Sequence, residues 1–110
     1  MSSAANSGVA IVLTTIGGDA DAAALARTLV DERLAACVNV LPVMTSIYRW
    51  HGQVEHDREQ QIVIKTATDR LPALEARIRQ LHPYELPEFV VLTPAGGSAA
   101  YLAWVRESVS

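Results

Sequence analysis

The side chain with the most distinctive chemistry is the single cysteine, Cys37. Its thiolate is a soft donor of the kind that binds copper or zinc. Because Cys37 lies between Ala36 and Val38, it also suits a small buried hydrophobic position. One cysteine cannot supply the roughly four nitrogen or sulfur ligands of a tight structural site. A metal bound at Cys37 would therefore need further donors or a second subunit.

An imidazole and a carboxylate come three residues apart at His82 and Glu85, in a segment that two prolines stiffen. A rigid segment can hold both groups facing one point, so we predict a candidate metal site here, with Glu88 as a further candidate ligand. The alternative is structural. His82 also suits the polar C-terminal end of a helix, and Tyr84 suits a subunit interface.

Three carboxylates alternate at Glu55, Asp57 and Glu59, so all three lie on one face if the segment is a strand. Such a face is stable when it stays in water, meets basic side chains or binds a hard cation. Charged strand faces commonly protect exposed sheet edges, which favours the solvated interpretation. Glu59 is kept as an additional candidate metal ligand.

Several function classes are not supported by the sequence. Nine basic and twelve acidic side chains give a formal charge of −3, which predicts no binding to nucleic acid. The apolar run 9–16 is shorter than the roughly 18 residues that cross a bilayer, so we expect no membrane association. Because a lone cysteine cannot form an internal disulfide and we see no export signal, we expect a cytoplasmic location. No phosphate-binding glycine loop and no nucleophile with an identifiable base occurs, so we do not expect an enzyme.

The order of the predicted elements identifies the fold. An apolar strand over 9–16 precedes a helix capped by Asp19 or Asp21, and two strand-like arms follow over about 37–66. A second helix begins near Asp69 and ends at His82, and a strand over 88–93 leads to a short helix capped by Ser98. This βαββαβ order predicts an α+β, ferredoxin-like sandwich with an extended central hairpin and a short C-terminal helix. We expect residues 1–8 to be disordered and 9–110 to form one domain.

The central hairpin is too long to be covered by its own protomer. Arms of about 13 residues reach roughly 40 Å, whereas a chain of this length has a radius of gyration of about 13 Å. Pro42 predicts an edge position or a bulge. A three-residue turn at 51–53 would place Arg49 opposite Glu55, and His56 opposite Tyr48. The apolar overhang predicts a homo-oligomer.

The sequence blocks that carry chemistry also resemble those of the CutA family, the divalent-cation tolerance proteins. The resemblance covers nearly everything after Gly8 and rests on four blocks: Arg33–Asn39, Ser46–Glu55, His82–Glu88 and Tyr101–Val105. It implies a ferredoxin-like fold similar to the PII signalling proteins, a homotrimer, and an association with copper and other divalent metal ions. It also places Cys37 at the recurrent cysteine of the family.

Two functions follow as expectations. The first is a non-enzymatic homotrimer that binds divalent cations such as copper and contributes to metal tolerance. The second is a PII-like signalling or scaffold trimer that binds a small ligand or a partner protein. In either case the predicted trimer interface contains Tyr48, Trp50, Val54 and Tyr84.

Overall fold

The structure of the protein, a computed structural model, describes residues 7–110. Four strands and three α-helices follow one another along the chain, and a single 3-10 turn, Thr68–Arg70, precedes the second helix. Their bounds are β1 Val9–Gly17, α1 Ala22–Asp31, β2 Cys37–Trp50, β3 Gln53–Ala67, α2 Leu71–Leu81, β4 Val90–Leu92 and α3 Ala99–Ser108. Of the segment predicted to be disordered, residues 1–6 lie outside the described residues.

The four strands form one antiparallel sheet in the order β2-β3-β1-β4. This order, with a helix after β1 and another after β3, is the ferredoxin-like arrangement. The α+β fold predicted from the order of elements is therefore confirmed. Strand β1 is central, as its apolar run predicted, and β2 lies at an edge.

The hydrophobic core lies on the face of the sheet that α1 and α2 cover. Side chains from both sources meet there: Val12, Ile16, Ile62 and Ile64 from the sheet, and Leu25, Leu29, Leu74 and Ile78 from the helices. Alternation along the strands sends the intervening residues to the opposite face. On that face Ile11, Leu13 and Val63 are only half-buried in the protomer. The sheet therefore has a second apolar face that the protomer leaves partly open.

Helix boundaries follow the predicted caps with one exception. The Asp21 carboxylate accepts from the Ala24 amide at 3.0 Å, and Ser98 accepts from the Tyr101 amide at 3.3 Å. Asp69 does not cap α2. Because residues 68–70 already form a 3-10 turn, Asp69 lies inside that turn and Arg70 occupies the cap position, without a capping side-chain bond. Strand β4 is also shorter than the predicted 88–93, since only its three central residues pair with β1.

The hairpin formed by β2 and β3 sets the length of the molecule. The strands have 14 and 15 residues, and the molecule measures 47 Å along its longest axis.

The predicted position of Pro42 is confirmed, because the β2–β3 register shifts between Val40 and Val43. None of the helices within residues 7–110 is both long and apolar enough to cross a membrane.

The turn of the hairpin differs from the prediction. His51 and Gly52 have φ angles of 49° and 79°, so the chain reverses in two residues in the manner of a type I′ turn. Trp50 consequently pairs with Gln53, and the partners from Trp50 to Val43 move by one position. The predicted pairs of Arg49 with Glu55 and of Tyr48 with His56 are wrong. Their observed partners are Val54 for Arg49, Glu55 for Tyr48 and Ile47 for His56.

Candidate functional site

A concavity of about 760 Å³ lies between the hairpin and the loop that follows α2. Its hairpin wall comes mainly from the sheet face opposite the helices, and its other wall comes from residues 84–88. We call it the hairpin concavity and define it by its lining residues: Thr15, Met44, Ser46, Ile47, Tyr48, Trp50, Asp57, Glu59, Gln61, Tyr84, Glu85, Leu86, Pro87 and Glu88. Its volume falls within the range of small-molecule sites, which is roughly 300–1,000 Å³.

The loop is joined to the hairpin by a hydrogen bond between Tyr84 and Glu59. The Tyr84 hydroxyl donates to Oε2 of Glu59 at 2.8 Å. Glu59 is only 7% exposed although it carries a carboxylate. Burial and the bond to Glu59 both favour the neutral phenol, so they raise the pKa of Tyr84 well above its usual value. Tyr84 therefore stays a donor throughout the ordinary pH range.

A second tyrosine and carboxylate pair lies further along the hairpin. The Tyr48 hydroxyl donates to Oδ2 of Asp57. This hydrogen bond, with smaller effects of desolvation and of nearby carboxylates, raises the pKa of Tyr48 to about 12. Asp57 and Glu59, two of the three alternating carboxylates, therefore accept hydrogen bonds from tyrosine hydroxyls. They do so on the strand face that the alternation predicted for them.

Gln61 fixes the inner end of the concavity. Its amide nitrogen donates to the Thr14 carbonyl at 2.6 Å and to Oε2 of Glu88 at 3.1 Å. Glu88 is thereby held against the sheet, whereas Glu85 is exposed to solvent. The charged residues of the lining are Asp57, Glu59, Glu85 and Glu88, all acidic, so the lining has a strongly negative character.

His82 lies behind this wall and positions it. The side chain is 7% exposed, and both ring nitrogens have partners. Nδ1 accepts from the Tyr84 amide at 3.1 Å, which leaves Nε2 as the protonated nitrogen that donates to the Thr15 carbonyl at 2.5 Å. The ring thus ties residues 82–84 to β1. To bind a metal, His82 would have to release one of these bonds.

Cys37 lies at the other end of the sheet. It pairs with Lys65, which pairs with Ile11, whereas His82 contacts the backbone of Thr15. Four residues along β1 separate these two levels, or about 13 Å. The Cys37 thiol is half-buried and lies 4.0 Å from Oδ1 of Asn39. One protomer therefore does not bring Cys37 and His82 to a common metal ion.

The five predicted metal ligands are thus divided among three places. Glu59, Glu85 and Glu88 line the hairpin concavity, His82 packs behind it, and Cys37 lies apart. Across residues 7–110 no three histidine, cysteine or acidic side chains are grouped closely enough to hold a metal ion. The assignment of these residues to a metal site stays a prediction. A site that used both Cys37 and His82 would need ligands from more than one subunit.

The residues predicted for the trimer interface are exposed in the protomer. Tyr48 is 40% exposed, Trp50 37%, Val54 62% and Tyr84 37%. Three of them also line the hairpin concavity. Seven further lining residues had no site role predicted from the sequence: Thr15, Met44, Ser46, Ile47, Gln61, Leu86 and Pro87. Their separation along the chain hides their proximity, although Gln61 continues the alternation of Asp57 and Glu59 and could have been found by extending it.

Comparison with known proteins supplies the family context. Residues 10–108 match the family model described as CutA1 divalent ion tolerance protein. A divalent-cation tolerance protein CutA of Thermus thermophilus is 48% identical over 98 residues, which are 89% of this chain and 95% of that protein. A human protein CutA is 44% identical over 105 residues, which are 93% of this chain but 59% of the human protein. A solved structure of the Thermus thermophilus protein superposes with a TM-score of 0.89 at 46% identity, covering 93% of this chain and 99% of that one.

Proposed function

This chain belongs to the CutA1 divalent ion tolerance family, and we propose that it is a cytoplasmic homotrimer that binds divalent cations, copper among them, and contributes to metal tolerance. The match of residues 10–108 to the family model is the observation that carries this proposal. We propose further that it acts by binding and without catalysing a reaction.

Two exposed apolar surfaces support self-association. The hairpin presents Ile47 and Val54, which are 72% and 62% exposed, and β4 presents three apolar residues that are each more than two-fifths exposed. The sheet face opposite the helices is also apolar and half-buried. Apolar surface of this extent in one protomer is typical of a subunit interface. Interface residues Tyr48, Trp50, Val54 and Tyr84 belong to this proposal.

The donor chemistry supports a metal site shared between subunits. Cys37 supplies a soft ligand on the edge strand β2, and Glu85 supplies an exposed carboxylate near the open loop. Because one protomer separates them, we propose that Cys37 of one subunit and the loop of another meet at a subunit boundary, with His82, Glu88 and Glu59 as further candidates. Copper accepts this mixture of sulfur, nitrogen and oxygen donors.

Calorimetric titration tests the metal site. Cu²⁺ added to the trimer should bind saturably, and Cys37→Ser and Glu85→Gln should each weaken binding at least tenfold. Glu107→Gln, a carboxylate on α3 outside the proposed site, is the matched control and should leave the affinity unchanged. The absence of saturable binding to the parent protein would reject the metal proposal, and unchanged affinity in both variants would remove these residues from it.

The hairpin concavity favours a second candidate function, a PII-like signalling or scaffold trimer that binds a small ligand or partner protein. Its volume, aromatic walls and convergent polar groups are those of a small-molecule site. A thermal-shift screen of metal ions against metabolites separates the two candidates. Stabilisation by metabolites alone would favour the ligand-binding trimer, and stabilisation by metal ions alone would favour the first proposal.

A further inference from the structure

We propose that the hairpin concavity binds an organic ligand that carries a primary ammonium group on an aromatic or apolar body. This inference deepens the second candidate function, the ligand-binding trimer, by naming the chemical class of its ligand. Because Tyr48, Trp50 and Tyr84 belong to both the concavity and the proposed interface, the site lies at the proposed subunit boundary.

Glu59 has no cationic partner within residues 7–110 of the protomer. This carboxylate is more than nine-tenths buried and lines the concavity. Its Oε2 accepts from Tyr84, whereas its Oε1 accepts from no group among residues 7–110, and no basic side chain of the described chain lies within 4.0 Å. A buried carboxylate without a cationic partner is costly. Oε1 keeps some solvent access, so a donor can reach it from the concavity.

The walls of the concavity also suit an aromatic or apolar ligand body. The side chains of Tyr48, Trp50 and Tyr84 offer aromatic surface, and Met44 and Leu86 add apolar surface. Faces of aromatic rings attract cations, and the body of an amine packs well against apolar side chains. Oε1 of Glu59 supplies an acceptor for an N–H group of a primary ammonium ion, and the other three carboxylates of the lining add negative potential. An anionic ligand would be repelled by all four.

A bare metal ion fits this place less well. Asp57 and Glu59 each already accept from a tyrosine hydroxyl, and Glu88 accepts from Gln61. The described residues offer no grouping of three acidic, cysteine or histidine ligands around one point. An organic cation makes fewer geometric demands, because it needs acceptors and surface contact and no closed coordination shell.

A basic side chain from a second copy of the chain is the remaining alternative. Eight of the nine lysine and arginine side chains already bond within their own protomer. Arg58 is the exception, since it has no side-chain partner in the part of the chain that the structure describes. It follows Asp57 on β3 but points to the opposite face of the hairpin. A variant of Arg58 therefore distinguishes the two sources of positive charge.

Three phenyl-bearing probes that differ in their terminal group test the proposal by calorimetry on the assembled protein: 2-phenylethylamine, 2-phenylethanol and 3-phenylpropionate. The amine should bind saturably, the alcohol at least tenfold more weakly, and the carboxylate not at all. Glu59→Gln should weaken amine binding at least tenfold while its amide oxygen still accepts from Tyr84, so the fold is retained. Glu107→Gln should bind the amine as the parent does.

Three outcomes would overturn the proposal: equal affinity for amine and alcohol, unchanged amine affinity in Glu59→Gln, or amine binding to Arg58→Gln more than tenfold tighter than to the parent. The last would mean that Arg58 of a second copy fills the concavity. If other metabolites stabilise the protein but the amine does not bind, this inference is wrong and the ligand-binding trimer remains supported. A protein that no metabolite stabilises would defeat both.

Discussion

The Tyr84 hydroxyl lies 2.8 Å from Oε2 of Glu59 and fastens the loop after α2 to the middle of β3. Twenty-five residues separate the two along the chain. The bond gives a buried carboxylate its one donor among the described residues, and it closes one end of the hairpin concavity. The Tyr84 phenol is therefore one of three tethers on this loop, together with the His82 ring and the Gln61 amide.

Removing that phenol should cost stability. Tyr84→Phe leaves the buried Glu59 carboxylate without a donor, so the free energy of unfolding should fall by about 2 kcal/mol. Tyr101→Phe is the matched control, because Tyr101 is 45% exposed on α3. Urea unfolding at one protomer concentration measures both. Equal stability of the two variants would show that the Tyr84 bond contributes little.

The Tyr48 and Asp57 pair predicts a pH dependence. The pKa of Tyr48 is about 12 in the folded protein, against about 10 in an unfolded chain. The folded state therefore holds this proton more tightly, so the stabilisation is complete below pH 10 and is lost as the pH rises towards 12. Asp57→Asn should bring the pKa of Tyr48 down towards 10.

Ultraviolet absorbance of tyrosinate measures this change. The Tyr48 titration is the difference between each protein and its Tyr48→Phe counterpart, and Glu107→Gln serves as the control background. An unaltered midpoint in Asp57→Asn would mean that the Asp57 carboxylate does not set the pKa of Tyr48.

Structural features that are set by residues close to them in the chain were predicted from the sequence. The apolar run from Val9 marks the central strand, Pro42 marks the register shift, and Asp21 and Ser98 mark helix starts. Each signal acts within a few residues of the feature it predicts. The prediction that Asp69 caps α2 was wrong because a 3-10 turn precedes the helix and shifts its first residue. No nearby residue indicates that turn.

The register and the site depend on contacts that the sequence does not display. Positive φ is uncommon outside glycine, so the two-residue turn at His51 was not predicted, and both predicted β2–β3 pairs were displaced by one. The concavity brings β1, the hairpin and residues 84–88 together across long separations. Glu59 was a candidate ligand from its alternation with Glu55 and Asp57, yet its proximity to Glu85 and Glu88 could be found only in three dimensions.

The turn itself can be tested at its glycine. Gly52 has a φ of 79°, and no atom lies within 4 Å of the point that an alanine Cβ would occupy, so any cost of Gly52→Ala arises from the backbone alone. We expect a loss of about 1 kcal/mol in unfolding free energy. Gly96→Ala, where there is also open space but no positive φ, is the control and should change stability little. Urea unfolding that finds no difference between the two would contradict the type I′ turn.

The exposed hairpin predicts a specific effect on assembly. Val54→Asp places a charge on the surface proposed to become buried between subunits, so the protein should dissociate to monomers at micromolar concentration. Val30→Asp, on α1 and 42% exposed, is the matched control and should leave assembly intact. Light scattering coupled to size exclusion measures the mass of each. A Val54→Asp protein with the mass of the parent would exclude Val54 from the interface.

Native mass spectrometry of the protein with Cu²⁺ tests the central proposal most directly, because one spectrum reports both subunit number and bound metal. We predict a particle with the mass of three chains that carries copper, and the same trimer with less copper in Cys37→Ser. A monomer, or a trimer that acquires no more copper than the Cys37→Ser protein, would contradict the proposal.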